Sequence, residues 1–166
     1  MVSSWRDVHH DCVYPTPPYS TSKTSPHIHV VWDPSIIDID GYIVALTSTD
    51  ILMHLGREEI NRNTPADRLG RLCKHILLQR SFYPLYPPNE ELPVDVEAWE
   101  VNAALNVKPH MMVLPSDMRS FVKNVEDCCV VNPERAAKGS TGGTFVKVEV
   151  HGEGKVENVL AETVRI

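Results

Sequence analysis

Apolar residues alternate with polar ones in some stretches of the chain and recur every three or four positions in others. Strands and helices can be distinguished by these two periods. One β-prone run contains Ile36, Ile37 and Ile39, and the next spans Tyr42 to Leu46. The pair Asp40-Gly41 separates them. Two such runs joined by Asp-Gly predict a two-residue hairpin, because these residues tolerate the positive φ angles of the turn.

Two helices are predicted after this hairpin. The first begins near Thr47-Ser48-Thr49-Asp50, whose hydroxyls and carboxylate are capping groups. The second begins at Thr64-Pro65-Ala66-Asp67, with threonine as the cap, proline at the first helical position and an acid near the positive end of the dipole. Each helix has one apolar face. These faces contain Ile51, Leu52 and Leu55 in the first helix, and Leu69, Leu72, Cys73, Ile76 and Leu77 in the second.

The other elements are predicted from shorter patterns. Two proline-rich stretches, residues 15–26 and 81–93, are predicted to be extended loops. A short helix is predicted to start at Pro115-Ser116, with Met118, Phe121, Val122 and Val125 on its inner side. Strands are predicted at residues 27–32, 98–105, 111–114, 128–131, 144–150 and 156–166, with a turn at 152–154 before the last. Interleaved strands and helices that finish in an antiparallel pair predict an α/β layered domain.

Composition narrows the class of protein. The 166 residues fit one domain, and 42% of them are apolar, enough for a packed core. No apolar run approaches the roughly 20 residues of a membrane span, and no signal-peptide pattern opens the sequence, so we expect a soluble intracellular protein. The four cysteines lack C-x-x-C spacing, and Cys73 is predicted to be buried. The net charge of -6 disfavours a primary role in binding duplex DNA.

Histidines and one acid offer candidate metal ligands. His9, His10 and Asp11 are consecutive, and His27 and His29 share one face of the predicted strand. Adjacent side chains on an extended chain point in opposite directions, however, and two imidazoles fall short of the four ligands of a zinc site. A structural loop and an exposed strand face are the favoured interpretations.

Three further motifs also have structural interpretations. The segment from Lys138 to Gly143 is rich in glycine, but its order differs from a P-loop, so a tight connection is favoured over an anion site. The hydroxyls of residues 47–49 lack a nucleophile elbow and are interpreted as helix caps. Phe82, Tyr83 and Tyr86 resemble a base-stacking platform, but only Arg80 lies close, so packing against the core or a partner protein is favoured. The residues alone therefore indicate an α/β domain without a convincing active site.

Several long motifs resemble the B (accessory) subunits of DNA polymerase α–primase. Residues 5–18 resemble that family's R-D-x-H-H…V-Y-P-x-P-P segment, and residues 41–50 resemble its G-L-T-S-T-D segment, with Ala45 at the glycine position. Residues 74–88 resemble K-H-I-L-x-Q-R-S-x-Y-P-L-Y-P-P, the most specific of these motifs. Further similarity lies in residues 114–123, 131–133, 138–145 and 164–166.

The resemblance implies a partial calcineurin-like phosphoesterase sandwich that has lost its metal site and that ends in antiparallel strands. Active phosphoesterases hold two metals that activate a water. Their G-D-x-x-D and G-H-x-H motifs have no counterpart in this sequence. We therefore expect no catalytic residue, no metal ligand and no cofactor. Residues 1–166 are expected to be the C-terminal portion of this domain, without its upstream half, the OB-fold and the amino-terminal domain of the family.

The resemblance also implies a function without catalysis. We expect an accessory subunit of the polymerase α–primase complex that binds the C-terminal domain of the catalytic subunit and supports initiation of DNA replication in the nucleus. This subunit would contact primase subunits and DNA through the complex. We expect no contact with membranes. Aromatic side chains are enriched at interface cores, so the proline-rich loops supply the candidate partner contacts. These are Tyr14, Tyr19, Tyr83 and Tyr86.

Two other functions stay open on sequence alone. One is a metal-dependent phosphoesterase or nuclease with His9, His10, Asp11, His27 and His29 as ligands. The other is a direct binder of single-stranded DNA, against which the negative charge argues.

Overall fold

A mixed sheet of five strands forms the centre of the protein in a computed structural model that describes residues 1–8, 10–20, 25–62, 66–152 and 159–166. The strands are β1 (Ser35–Ile39), β2 (Tyr42–Leu46), β3 (Met111–Val113), β4 (Phe121–Val125) and β5 (Cys128–Asn132). Their spatial order is β1-β2-β3-β5-β4. The three central strands are parallel, and each edge strand is antiparallel to its neighbour. The predicted α/β class is confirmed.

The β1–β2 hairpin forms where it was predicted. Asp40 and Gly41 have φ angles of 50° and 85°, as a two-residue turn between twisted strands requires. The Gly41 N–H donates to Asp38 Oδ1 at 2.6 Å. This bond fixes the turn, and the register that follows pairs Ile39 with Tyr42.

Two helices, α1 (Ile51–Glu58) and α2 (Arg68–Gln79), pack on the sheet. The Asp50 carboxylate caps α1 by accepting from the Met53 N–H at 2.9 Å. The second helix begins later than predicted, because the carboxylate of Asp67 accepts from the Gly70 N–H at 3.0 Å and makes Asp67 the cap. The predicted cap and first residue of that helix, residues 64 and 65, lie outside the described residues.

Successive side chains of a strand point to opposite faces of the sheet, so the core has two parts, one on each face. Ala45, Met112 and Val130 are buried against the helices, whose own contributions are Leu52, Leu55, Leu72, Cys73 and Ile76. Their neighbours along the strands form a second cluster on the opposite face: Tyr42, Val44, Met111, Cys129 and Val131. Every residue of β5 is buried, as expected for a central strand covered on both faces.

Two predicted elements are wrong in type. Residues 98–105 do not form a strand; Val96–Asn102 is helix α3, capped by Asp95, whose Oδ1 accepts from the Ala98 N–H at 3.1 Å. Residues 115–120 do not form a helix, and the predicted inner residues Phe121 to Val125 are strand β4. The reason for the second difference is a turn at Glu126 and Asp127, whose φ angles of 49° and 55° allow β4 to fold back on β5.

The β-prone run at residues 27–32 does not become a sheet strand either. The structure pairs Val31 with Val2 in an isolated bridge, and Asp33 with Thr16 in another. The segment is therefore extended beside the N-terminus, because hydrogen bonds to residues 1–16 replace those of a sheet.

Two antiparallel pairs follow the main sheet, and the second of them is the predicted one. The short strands β6 (Ala137–Lys138) and β7 (Thr141–Gly142) pair with each other, and β8 (Thr144–Val150) pairs with β9 (Val159–Arg165). The predicted turn and the start of the last strand, residues 153–158, lie outside the described residues. Val146, Val148 and Val159 of this final hairpin pack against the second face of the main sheet. The partial, sandwich-like arrangement predicted for the fold is thus confirmed.

All four cysteines are free, and Cys73 is buried as predicted, together with Cys128 and Cys129. Burial raises the pKa of Cys73 and of Cys128 to about 12. Because the thiolate is the reactive form, these thiols are inert at neutral pH. Within the described residues, no helix combines the length and the apolar character that a membrane crossing requires.

Candidate interaction surface

Open α/β sheets bind their ligands at the carboxyl ends of the parallel strands, so a catalytic or binding site is expected at this edge. The loops after β2, β3 and β5 meet at this edge and form a crevice of about 220 Å³. It is lined by Arg6, Ser48, Asp50, Pro115, Ser116, Asp117, Glu134 and Arg135. The edge therefore has three carboxylates. Their hydrogen bonds determine whether they are free to bind a metal ion or another ligand.

Each of these carboxylates is engaged by the protein itself. While Asp50 Oδ1 caps α1, its Oδ2 accepts from the Asp117 N–H at 2.9 Å. The carboxylate of Asp117 accepts from Arg135 Nη2 at 2.6 Å. Glu134 accepts from the Ser120 N–H at 2.6 Å and pairs with Lys138, which lowers its pKa. The carboxylates thus connect loops and form ion pairs.

The buried amide of Asn132 joins the same loops. Its Oδ1 accepts from the backbone N–H groups of Ser116 and Glu134, both at 2.9 Å. Its Nδ2 donates to the carbonyls of Met118 and Arg119 at 3.0 and 3.2 Å. The capacity of this amide is used up by structural bonds.

The hydroxyls after β2 have a role that the sequence did not predict. Thr47 Oγ1 donates to Asp33 Oδ1 at 2.6 Å, while Ser48 Oγ and Thr49 Oγ1 donate to Asp33 Oδ2 at 2.7 and 2.8 Å. The Ser48 N–H is a fourth donor, to Oδ1 at 2.7 Å. Asp33 is wholly buried, and burial raises its pKa while these bonds oppose the shift. The predicted capping role of the hydroxyls is wrong, because they satisfy a buried carboxylate and Asp50 alone caps the helix.

The candidate metal ligands do not meet. In the part of the chain that the structure describes, no group of three or more His, Cys, Asp or Glu side chains is arranged to hold a metal ion. His10 Nε2 hydrogen-bonds the carbonyl of Pro17, whereas Asp11, His27 and His29 are exposed. His9 lies outside the described residues.

The glycine-rich segment is a tight connection, as predicted. Gly139 has a φ angle of 62° in the turn between β6 and β7. Gly143 lies so close to the Arg135 carbonyl that an added Cβ would be 1.8 Å from its oxygen. Since Lys138 pairs with Glu134, its charge is already balanced within the protein.

The proline-rich loops pack together around two buried tyrosines. The backbone of Tyr14 bonds residues 93 and 95 at 2.8 and 2.9 Å, so the first loop lies along the end of the second. The rings of Tyr14 and Tyr83 are 5.4 Å apart, and both side chains are wholly buried. Tyr14 and Tyr83 therefore support the loops from inside this chain, and their rings are not on its surface. The accessible members of the predicted set are half-buried Tyr19 and exposed Tyr86.

The hydroxyl of Tyr83 links the second loop to α1. It accepts from the Asn89 N–H at 3.0 Å and lies 3.0 Å from His54 Nδ1. Burial lowers the pKa of His54, and its hydrogen bond with the Tyr83 hydroxyl is itself buried. One hydroxyl thus fixes the loop position that follows the three prolines.

Tyr86 presents its ring to solvent at the tip of this loop. Its side chain is 81% exposed, and its ring stacks on Trp99 of α3, with centroids 6.2 Å apart and planes 15° apart. Sequence reasoning missed Trp99, because it placed that residue in a strand. The cap pattern Asp95-Val96-Glu97 was the signal for the helix.

The surface around Tyr86 is acidic. Between Arg80 and Lys108 the chain has five acidic residues and no basic one. Beside Tyr86 lies a groove of about 400 Å³, which we call the Tyr86 groove. Its lining consists of Arg57, Glu58, Leu85, Tyr86, Pro87, Pro88, Asn89, Glu90 and Glu91. The groove thus combines an exposed aromatic ring with prolines and carboxylates.

Comparison with known proteins identifies the family. A family profile that describes the B subunits of DNA polymerases alpha and epsilon matches residues 1–123. The chain belongs to this B-subunit family. It is 42% identical to the DNA polymerase alpha B subunit of Mus musculus across 100% of the chain, and 45% and 40% identical to those of Rattus norvegicus and Drosophila melanogaster across 87% and 89%. The predicted resemblance is confirmed.

The residues that match the family include both proline-rich loops, α3 and the whole Tyr86 groove. The chain nevertheless spans only 30%, 25% and 24% of the lengths of these three relatives. In the relatives, B-subunit sequence therefore extends well beyond the part that this chain resembles.

Proposed function

We propose that this chain acts as part of a non-catalytic accessory subunit of the DNA polymerase α–primase complex. In this role it binds the C-terminal domain of the catalytic subunit and supports the initiation of DNA replication in the nucleus. Primase subunits and DNA are contacted through the complex. The name shared by the relatives supports the proposal, since each is the B subunit of a DNA polymerase alpha.

The observation that carries the non-catalytic part is the state of the carboxyl edge of the sheet. Metal-dependent hydrolysis needs carboxylates and imidazoles that point at a common ion. At this edge, Asp50, Asp117 and Glu134 are directed at backbone N–H groups, an arginine and a lysine of the same chain. This use of the carboxylates supports a scaffold.

As part of the same proposal, residues 1–166 correspond to the C-terminal portion of an inactivated phosphoesterase-like domain. The upstream half of that domain would cover the second face of the sheet. Between this face and the β8–β9 hairpin lies a cleft of about 750 Å³. Its lining is mostly apolar and includes Ile39, which is 55% exposed. The hydroxyl of Tyr42, also in the lining, is buried without a hydrogen-bond partner within the described residues. A covering segment would bury the side chain of Ile39 and supply a hydrogen-bond partner for the Tyr42 hydroxyl.

Co-expression tests the partner. The chain is produced with the C-terminal domain of a polymerase α catalytic subunit, and the mixture is separated by size exclusion with light scattering. We expect a one-to-one complex. The chain produced alone is the control for self-association. A soluble, monodisperse chain that elutes apart from the catalytic domain would contradict the proposal.

Two further measurements test the other parts. The rate of hydrolysis of a bis-aryl phosphodiester with added Mn²⁺ is expected to equal the rate without protein. A metal-dependent rate that is lost in His10→Ala would support the phosphoesterase alternative.

For the cleft, Ile39→Asp is expected to weaken association with the upstream half of a relative's domain. The matched control is Leu78→Asp, since Leu78 is 62% exposed on α2. Equal association of both variants would contradict the assignment of the cleft.

A further inference from the structure

The Tyr86 groove combines a fixed aromatic wall with uncompensated negative charge. Tyr86 is exposed, yet Trp99 supports one face of its ring. Trp99 is half-buried and lies 6.3 Å, between ring centroids, from buried Tyr83. The exposed ring is thus backed by a row of aromatic side chains that ends in the core. A rigid aromatic group with few torsions binds a partner at a low entropic cost.

The backbone of the groove is fixed as well. Asn89 donates its N–H to the Tyr83 hydroxyl, and its carbonyl accepts from the Leu92 N–H at 2.9 Å. Its side-chain Oδ1 accepts from the Glu91 N–H at 3.0 Å. Leu92 is buried. The acidic residues at positions 90 and 91 are therefore held at the rim of the groove from both sides.

The charge of the groove selects its ligand. Three glutamates and one arginine line it. Arg57 lies 3.6 Å from Glu91, and both side chains are about half exposed or more, so this pair is weak and easily exchanged. Within the described residues, Glu58 and Glu90 form no ion pair. A phosphate backbone would be repelled here, whereas a lysine or arginine side chain gains both carboxylates and the face of the Tyr86 ring.

We propose that the Tyr86 groove binds an extended, basic peptide segment, with an arginine or lysine of the segment between Tyr86 and the carboxylates of Glu58 and Glu90. This inference rests on the proposed function, because it assigns that segment to the catalytic subunit. It deepens that function by naming the surface and the chemistry of the partner at the point of contact.

The probe is a fluorescein-labelled hexa-arginine peptide, read by anisotropy at two salt concentrations. We expect wild-type protein to bind it at least tenfold more tightly than Glu58→Gln/Glu90→Gln or Tyr86→Ser. The control is Glu149→Gln/Glu162→Gln, which removes the same charge from the β8–β9 hairpin and is expected to bind like wild type. Equal loss in both double variants would overturn the inference, because binding would then follow net charge alone. So would a labelled oligonucleotide that binds at Tyr86 more tightly than the peptide.

The same variants are then tested by interferometry against the C-terminal domain of the catalytic subunit. A tenfold or greater loss for Tyr86→Ser and for Glu58→Gln/Glu90→Gln is expected. If wild type binds that domain and the groove variants bind it equally well, the assignment of the groove as the contact surface is wrong and the proposed function stands. If wild type does not bind it while the peptide result holds, the groove keeps its preference for basic segments and the proposed function fails.

Discussion

The two buried tyrosines of the proline-rich loops allow a matched test of how the backbone of the Tyr86 groove is held in place. Tyr83 and Tyr14 are both wholly buried, and their rings are in contact. The Tyr83 hydroxyl bonds Asn89 and His54. Within the described residues, the Tyr14 hydroxyl has no partner. Replacing each tyrosine by phenylalanine therefore removes the same atom from two sites that differ in hydrogen bonding.

Tyr83→Phe is expected to lower the free energy of unfolding by about 1–3 kcal/mol, because the Asn89 N–H and His54 Nδ1 each lose a partner in a site with little water. Tyr14→Phe is expected to be neutral or to stabilise by up to about 1 kcal/mol, since a buried hydroxyl without a hydrogen bond costs free energy. The expected gap between the two variants is thus roughly 1–4 kcal/mol.

Urea unfolding followed by tryptophan fluorescence measures this gap, with equal slopes as the check that the variants unfold in the same way. Trp99, which contacts Tyr83, is a local reporter. Equal midpoints for the two variants would refute the assignment of the Tyr83 hydroxyl. A lower midpoint for Tyr14→Phe than for Tyr83→Phe would reverse the argument.

Three further predictions concern stability. Asp33→Ala is expected to destabilise by about 3–5 kcal/mol, because the buried hydroxyls of Thr47 and Thr49 and the part-buried N–H of Ser48 lose their acceptor; a thermal unfolding midpoint equal to wild type would contradict this. The hydrogen bond from Arg71 lowers the pKa of Glu59, so its contribution is present above the ordinary carboxyl pKa and is lost as pH falls through the lowered one. Acid unfolding from pH 6 to 3 is expected to be shallower for Glu59→Gln, and identical profiles would count against the ion pair. Asp127→Gly is expected to stabilise by up to about 1 kcal/mol, because Asp127 has a φ angle of 55°; a lower urea midpoint would oppose this.

Sequence reasoning succeeded where local chemistry left little choice. Asp40-Gly41 predicted its hairpin because these residues accept the positive φ angles of the turn. The apolar period of α2 predicted its buried face of Leu72, Cys73 and Ile76. The long motif of residues 74–88 predicted the family, which the comparisons confirm.

It failed where a short segment suits two structures. The apolar residues of the predicted strand, residues 98–105, fit a strand as well as a helix, and the Asp95 cap together with the packing of Trp99 decides for α3. The apolar spacing of Phe121 to Val125 fits a helix, but pairing with β5 satisfies more backbone groups and makes it a strand.

The sequence by itself determined that this protein is an α/β member of the B-subunit family with tyrosines in two proline-rich loops. Only the tertiary structure decided that Tyr14 and Tyr83 are buried and that Tyr86 is exposed on Trp99. It also decided that the hydroxyls of residues 47–49 serve Asp33. The physical reason is that burial and hydrogen-bond partners depend on contacts between residues distant along the chain, which no local pattern records.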